Sequence, residues 1–165
     1  MNLTPHFTLK ELTESPTAKA KGIDNTPTAE HLANMKHVCE KILEPVRAYF
    51  KKPVQVNSSY RSPALNRAVG GSSTSQHVNG EAVDFEVPGI SNKTVADWVS
   101  ENLDFDQIIL EFFKPEEGVN SGWVHVSLKK SGNRKQKLVA LKDGSKTVYK
   151  PVNDFDPNND YEQYG

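Results

Sequence analysis

Between residues 27 and 50 the apolar positions Leu32, Met35, Val38, Ile42, Val46 and Tyr49 recur every three or four places. That period matches one face of an α-helix, so this segment is predicted to be the longest helix and to bury that stripe. Thr26 is placed to cap it, and Pro27 suits the first turn. Pro45 lacks an N–H and should kink or interrupt the helix near its end. Shorter helices are expected in three other places. Thr8-Leu9-Lys10-Glu11 has the form of a capping box. Residues 61–69 open on Ser-Pro and close on Gly70-Gly71. Ser91 can cap a helix running to about residue 102.

Elsewhere the pattern changes period. Residues 53–58 and 82–87 read as strands, as do 107–113 and 123–128, the last two joined by the turn-rich KPEEGVNSG. Residues 137–141 and 147–149 flank Asp143-Gly144, a hairpin signal. Residues 71–76 form a polar loop. Helices crowd the first half and strands the second, which predicts an α+β fold. One domain is expected over 1–150, followed by a polar, acidic C-terminal tail over 151–165. Within that tail Asp154, Asp156 and Asn158 have the spacing of a calcium loop. Asn159 and Gly165 stand where that loop needs glycine and glutamate, so the motif is rejected.

Composition narrows the function. Twenty Lys and Arg against 21 Asp and Glu give a net charge near zero, with no sign of a nucleic-acid-binding surface. The single cysteine, Cys39, falls on the apolar side of the long helix and reads as a buried thiol. No apolar stretch has the length of a membrane span. The N-terminal residues MNLTPHFTLKEL do not read as a secretory leader, so synthesis in the cytoplasm is expected.

Candidate chemistry lies in the histidines. His6, His31 and His37 read as surface or packing residues. His77 instead leaves a Ser/Gly-rich loop, in SQHVNGEAVDF, and His125 sits inside the apolar run WVHVS. Alternation turns Trp123, His125 and Ser127 to one side of their strand, and Asp84 away from Val83 and Phe85 on its own. Should these strands be neighbours, one sheet face gathers Asp84 and His125, and the loop can fold His77 over them. Two histidines and a carboxylate are the ligand set of many catalytic zinc sites, which keep a fourth position open. The spacing alone leaves a polar surface loop and one satisfied strand histidine as the competing reading.

These motifs resemble the zinc D-alanyl-D-alanine carboxypeptidases and their relatives, the L-alanyl-D-glutamate endopeptidases of phage lysins. The shared pattern is Ser-x-His, then Gly-x-Ala-x-Asp, and later a Trp-x-His strand. Here it reads Ser75-Gln76-His77, Gly80-Glu81-Ala82-Val83-Asp84 and Trp123-Val124-His125, with SSYRSPALNRAVGG upstream matching a Tyr-Arg-Ser segment. The resemblance runs over about 7–128. It implies a small antiparallel sheet flanked by helices, as in the hedgehog signalling domain. It also implies one zinc ion per chain on His77, Asp84 and His125. Arg61 would stabilise the polarised carbonyl or bind a substrate carboxylate, and Ser75 would shape the loop and touch substrate.

One departure matters. Many members carry their catalytic glutamate as Glu-x-x-His, but that position is Gly122 here. Glu81, Glu86, Glu111, Glu116 and Glu117 are the nearby carboxylates. Glu111 is a lone charge in the apolar run FDQIILEFF and can come opposite or diagonal to His125 if the two strands pair, so it is the expected base. The expected function is hydrolysis of the peptidoglycan stem peptide, as a terminal carboxypeptidase or as a lysin-type endopeptidase. The protein is expected to be a monomer and, if a phage lysin, to reach the wall through a membrane hole. The alternative is a zinc-stabilised binding or structural module without turnover, such as a phage tail component.

Overall fold

The computed structural model describes residues 1–155. Near the N-terminus a small antiparallel pair, β1 (Asn2–Thr4) and β2 (Phe7–Thr8), leads into α1 (Leu9–Thr13). The capping box at the start of α1 is formed: Glu11 N donates to the Thr8 side chain, and Thr8 N donates to the Glu11 carboxylate, each at 3.1 Å. A further short helix, α2 (Pro16–Lys21), follows. The strand pair and α2 are too short to leave a period in the sequence.

The long apolar stripe folds as two helices joined without a break. α3 (Ala29–Val38) passes into a single π turn, Cys39–Leu43, and on into α4 (Glu44–Phe50). The cap is Thr28, whose hydroxyl accepts from His31 N; Thr26 hydrogen-bonds Asp24 instead. The interruption expected from Pro45 is this π turn. A wider turn just ahead of the proline accommodates its ring and its missing donor while the helix continues. Met35, Val38, Ile42 and Val46 are buried as the stripe predicts, and so is Cys39, whose thiol pKa burial pushes up to about 12. Tyr49 departs from the pattern: it is exposed and stacks on Trp98 at 4.6 Å.

The remaining elements are β3 (Gln55–Ser58), α5 (Pro63–Ala68), β4 (Ala82–Glu86), α6 (Asn92–Asn102), β5 (Gln107–Glu111), β6 (Trp123–Ser127), β7 (Gln136–Asp143) and β8 (Lys146–Pro151). The strands from β3 onward make one six-stranded sheet in the order β3-β4-β6-β5-β7-β8. Every pair is antiparallel except β5 and β7, which run parallel. One face carries Val83, Phe85, Ile108, Leu110, Val124 and Val126, which share the main core with residues of α3 and α6. The other face carries Asp84, Ile109, Glu111 and His125.

The segment between β5 and β6 is anchored by Asn120, whose amide donates to the carbonyls of Val87 and Ile90. The segment expected as a polar tail starts at residue 151. Pro151 ends β8, and Val152 and Phe155 are buried in the main core, because these two apolar side chains need cover that solvent does not give. The rest of that segment, with most of the rejected calcium loop, lies outside the described residues. Among the described residues no helix is long and apolar enough to cross a membrane.

Candidate metal centre and cleft

The sheet register delivers the first two residues of the cluster. Asp84 on β4 stands directly opposite His125 on β6, and His125 Nδ1 lies 2.9 Å from Asp84 Oδ1. His77 arrives from a one-turn 3-10 helix, Gln76–Asn79, capped by the Ser75 hydroxyl, which accepts from His77 N at 3.3 Å. That turn ends at Gly80, with φ +74°. A Cβ at Gly80 would come within 2.6 Å of the His31 carbonyl oxygen, so a side chain there would force the turn off α3. Gly80 therefore lets the His77 turn pack against the long helix and still enter β4 in time for Asp84.

His77 and Asp84 meet at 3.3 Å, between Nε2 and Oδ2. The Nδ1–H of His77 donates to the Ser59 carbonyl at 2.6 Å, and a carbonyl can only accept. In the neutral ring this fixes the tautomer and turns the Nε2 lone pair to the cluster, the orientation a metal-binding histidine requires; in the protonated ring Nε2–H faces Asp84 instead. All three residues are buried, and their ligand atoms lie within 4.8 Å of one another. Burial alone would raise the pKa of Asp84; the charges and hydrogen bonds of His77 and His125 outweigh it and hold the carboxyl well below its ordinary range. Two neutral-capable nitrogens and one ionised oxygen, converging and buried, suit a zinc ion by their chemistry.

Arg61 and Glu111 flank this cluster in one cavity of about 710 Å³. Arg61 ends the stretch before α5 rather than beginning the helix, whose cap is Ser62. Its backbone N–H donates to the His77 carbonyl at 3.1 Å, its Nη1 donates to Asn66, and its Nη2 lies 3.7 Å from Asp84 Oδ2. Glu111 on β5 pairs with Trp123 on β6, which puts it diagonal to His125 on the same face. The indole N–H of Trp123 donates to its carboxylate. Burial and then the Asp84 carboxylate push the pKa of Glu111 up to about 7, against the opposing pull of His125, Trp123 and Arg61.

Of the five glutamates considered, Glu111 alone lines the cavity. Glu86 accepts from Gln55 at the sheet's β3 side, and Glu116 and Glu117 are exposed in a short turn. Gly122 explains the missing Glu-x-x-His. It has φ +66°, and a Cβ there would lie 1.8 Å from the Glu111 carbonyl oxygen. No side chain fits, so a carboxylate cannot project from this position. Gly122→Ala should combine left-handed strain with overpacking and cost roughly 2–4 kcal/mol of stability. Denaturant unfolding checks it; a wild-type midpoint would contradict the close packing.

A protein-family model for Peptidase M15 matches residues 5–127, most of the chain. The chain belongs to the M15 peptidase family. Members of this family are zinc peptidases, in keeping with the His77, Asp84 and His125 cluster. Among curated proteins, none matches the chain. The M15 match stops at the end of β6, yet the cavity continues past it onto Arg134, Gln136, Leu138 and Tyr149, none of which the motifs singled out. His6, His31 and His37 stand outside the cavity; His6 pairs with Glu44 at 2.7 Å and His31 packs on Tyr60.

Proposed function

We propose that this protein hydrolyses peptide bonds in the stem peptide of bacterial peptidoglycan, with zinc held by His77, Asp84 and His125. The observation that carries the reading is the convergence of those three buried side chains with a buried carboxylate, Glu111, and a guanidinium, Arg61, around one cavity. Zinc bound there would polarise a substrate carbonyl and acidify a water molecule. The chain's own groups do the rest. Glu111 takes a proton from the attacking water and returns it to the leaving amine. Trp123 holds the Glu111 carboxylate toward the cleft through its indole N–H. Arg61, steadied by Asn66 and Asp84, presents its guanidinium to the developing oxyanion or to a substrate carboxylate. Ser75 shapes the approach by capping the His77 turn.

Incubating zinc-loaded protein with purified wall fragments and weighing the products tests the reading. Loss of a terminal alanine alone marks a carboxypeptidase. A new amino terminus within the stem, or a cut cross-link, marks an endopeptidase. Zinc-loaded protein that leaves every wall type intact would overturn the reading in favour of a non-catalytic binding module.

A further inference from the structure

The part of the cleft that lies beyond the M15 match is tied to the rest by one buried carboxylate. Asp106, just ahead of β5, is fully buried and accepts from Arg134 through three groups: backbone N at 2.9 Å, Nε at 3.2 Å and Nη2 at 2.7 Å. The same carboxylate accepts from the side-chain amide of Gln76 at 3.0 Å. Gln76 is the residue before His77, so a single carboxylate joins Arg134 to the turn that presents the cluster. Lys129 Nζ also lies 3.8 Å from Asp106. Two cations thus share one carboxylate, and the group keeps a net positive charge. The Arg134 side chain is about half exposed, at 52%, and lines the cavity; its Nη1 makes none of these bonds.

Sheet register gives the reach. On the site face, His125 on β6 stands beside Ile109 on β5, which stands beside Leu138 on β7. The Arg134 guanidinium is held on Asp106, three residues before Ile109, and so stands about 10 Å along the β5 direction from the row of His125. That is the length of about three extended residues. Where β5 and β7 begin, the Gln107 amide donates to Gln136 at 2.8 Å, which leaves the Gln136 NH₂ for a peptide carbonyl. A stem peptide lying from the cluster toward the starts of β5 and β7 therefore meets a pair of amides and then a rigid, half-exposed guanidinium. A guanidinium held this way has lost its freedom in advance and suits a carboxylate.

We propose that Arg134 is a second carboxylate-recognising residue of the cleft, selecting stem peptides that carry an ionised carboxyl about three residues from the bond that is cut. The proposal rests on the peptidase reading for its substrate. It also gives the substrate a footing beyond the cluster on the β7 side, as internal cleavage requires. The bland role for Arg134 is to neutralise Asp106.

The test uses synthetic stem peptides with all carboxyls free and with each amidated in turn, measured by calorimetric binding to zinc-loaded protein and, in parallel, by cleavage. One amidation should weaken wild-type binding about 10–100-fold, the worth of a hydrogen bond to a charged group. Arg134→Gln should lose that discrimination by binding the free acid more weakly while binding the amide as wild type does. Arg134→Lys should restore part of it. Equal losses on acid and amide, or wild-type protein indifferent to every amidation, would overturn the proposal. If Arg134→Gln fails to fold, Arg134→Lys decides on the same acid and amide pair: partial loss of the discrimination supports the proposal, and full wild-type discrimination overturns it. Selective binding without cleavage would overturn the peptidase reading and leave this one standing.

Discussion

Glu111→Gln is expected to bind zinc as the wild type does and to lose hydrolysis by about 10³-fold, within the range that positioned proton transfer supplies. The substitution keeps the shape of the side chain, and its amide oxygen can still accept from the Trp123 indole. What disappears is the ability to take a proton and give it back. None of the other four candidate glutamates lines the cavity. Glu86 is held by Gln55, and Gly122 has no room for a side chain. Zinc content and turnover should be measured on the same preparation. Turnover at the wild-type rate would remove Glu111 from the reaction.

His77→Ala should lose zinc altogether at concentrations that saturate the wild type. Changing a residue that merely supports a metal ligand costs about 10–100-fold in affinity, and His77 is proposed as a ligand itself. The variant should also lose the thermal stabilisation that zinc gives the wild type, since binding to the folded state alone raises stability by mass action. Removing His77 strips a neighbour from buried Asp84, so some loss of stability without metal is expected as well. Metal analysis and a melting curve with and without zinc check both parts. Full zinc occupancy in His77→Ala would refute the assignment.

The strand alternation around Asp84 and His125 was legible because a strand with one apolar face leaves its polar residues no other side. That pattern leaves open which strands pair; the structure places Asp84 directly opposite His125. Glu111 was legible for a related reason: a lone charge in an apolar strand needs a partner, and Trp123 is that partner. The support behind His77 was not legible, because it comes from the Ser59 main chain, and any residue offers a carbonyl. Asp106 left no signal either. Its importance comes from burial between a turn and a segment distant in sequence, which alternation does not report. The parallel pairing of β5 with β7 was hidden too, since a strand's period says which face is apolar and nothing about its neighbour's direction. Tyr49 fits the helical stripe yet is exposed, because the stripe outlasts the core it covers and the ring finds Trp98 instead.

Phe155 bears on how this chain reaches its fold. It is wholly buried in the cluster that also holds Leu3 and Phe7. The core is thus closed by residues from both ends of the described chain. A ribosome delivers Leu3 first and Phe155 last, so the core stays open until nearly all of the domain has emerged. The pairing of β5 with β7 likewise waits for a strand made after β6. Contacts so distant in sequence carry a loop-closure cost before they contribute anything, and they slow folding. The core of this domain is therefore completed only once residues 152–155 have left the ribosome, and until then its apolar side chains lack part of their cover.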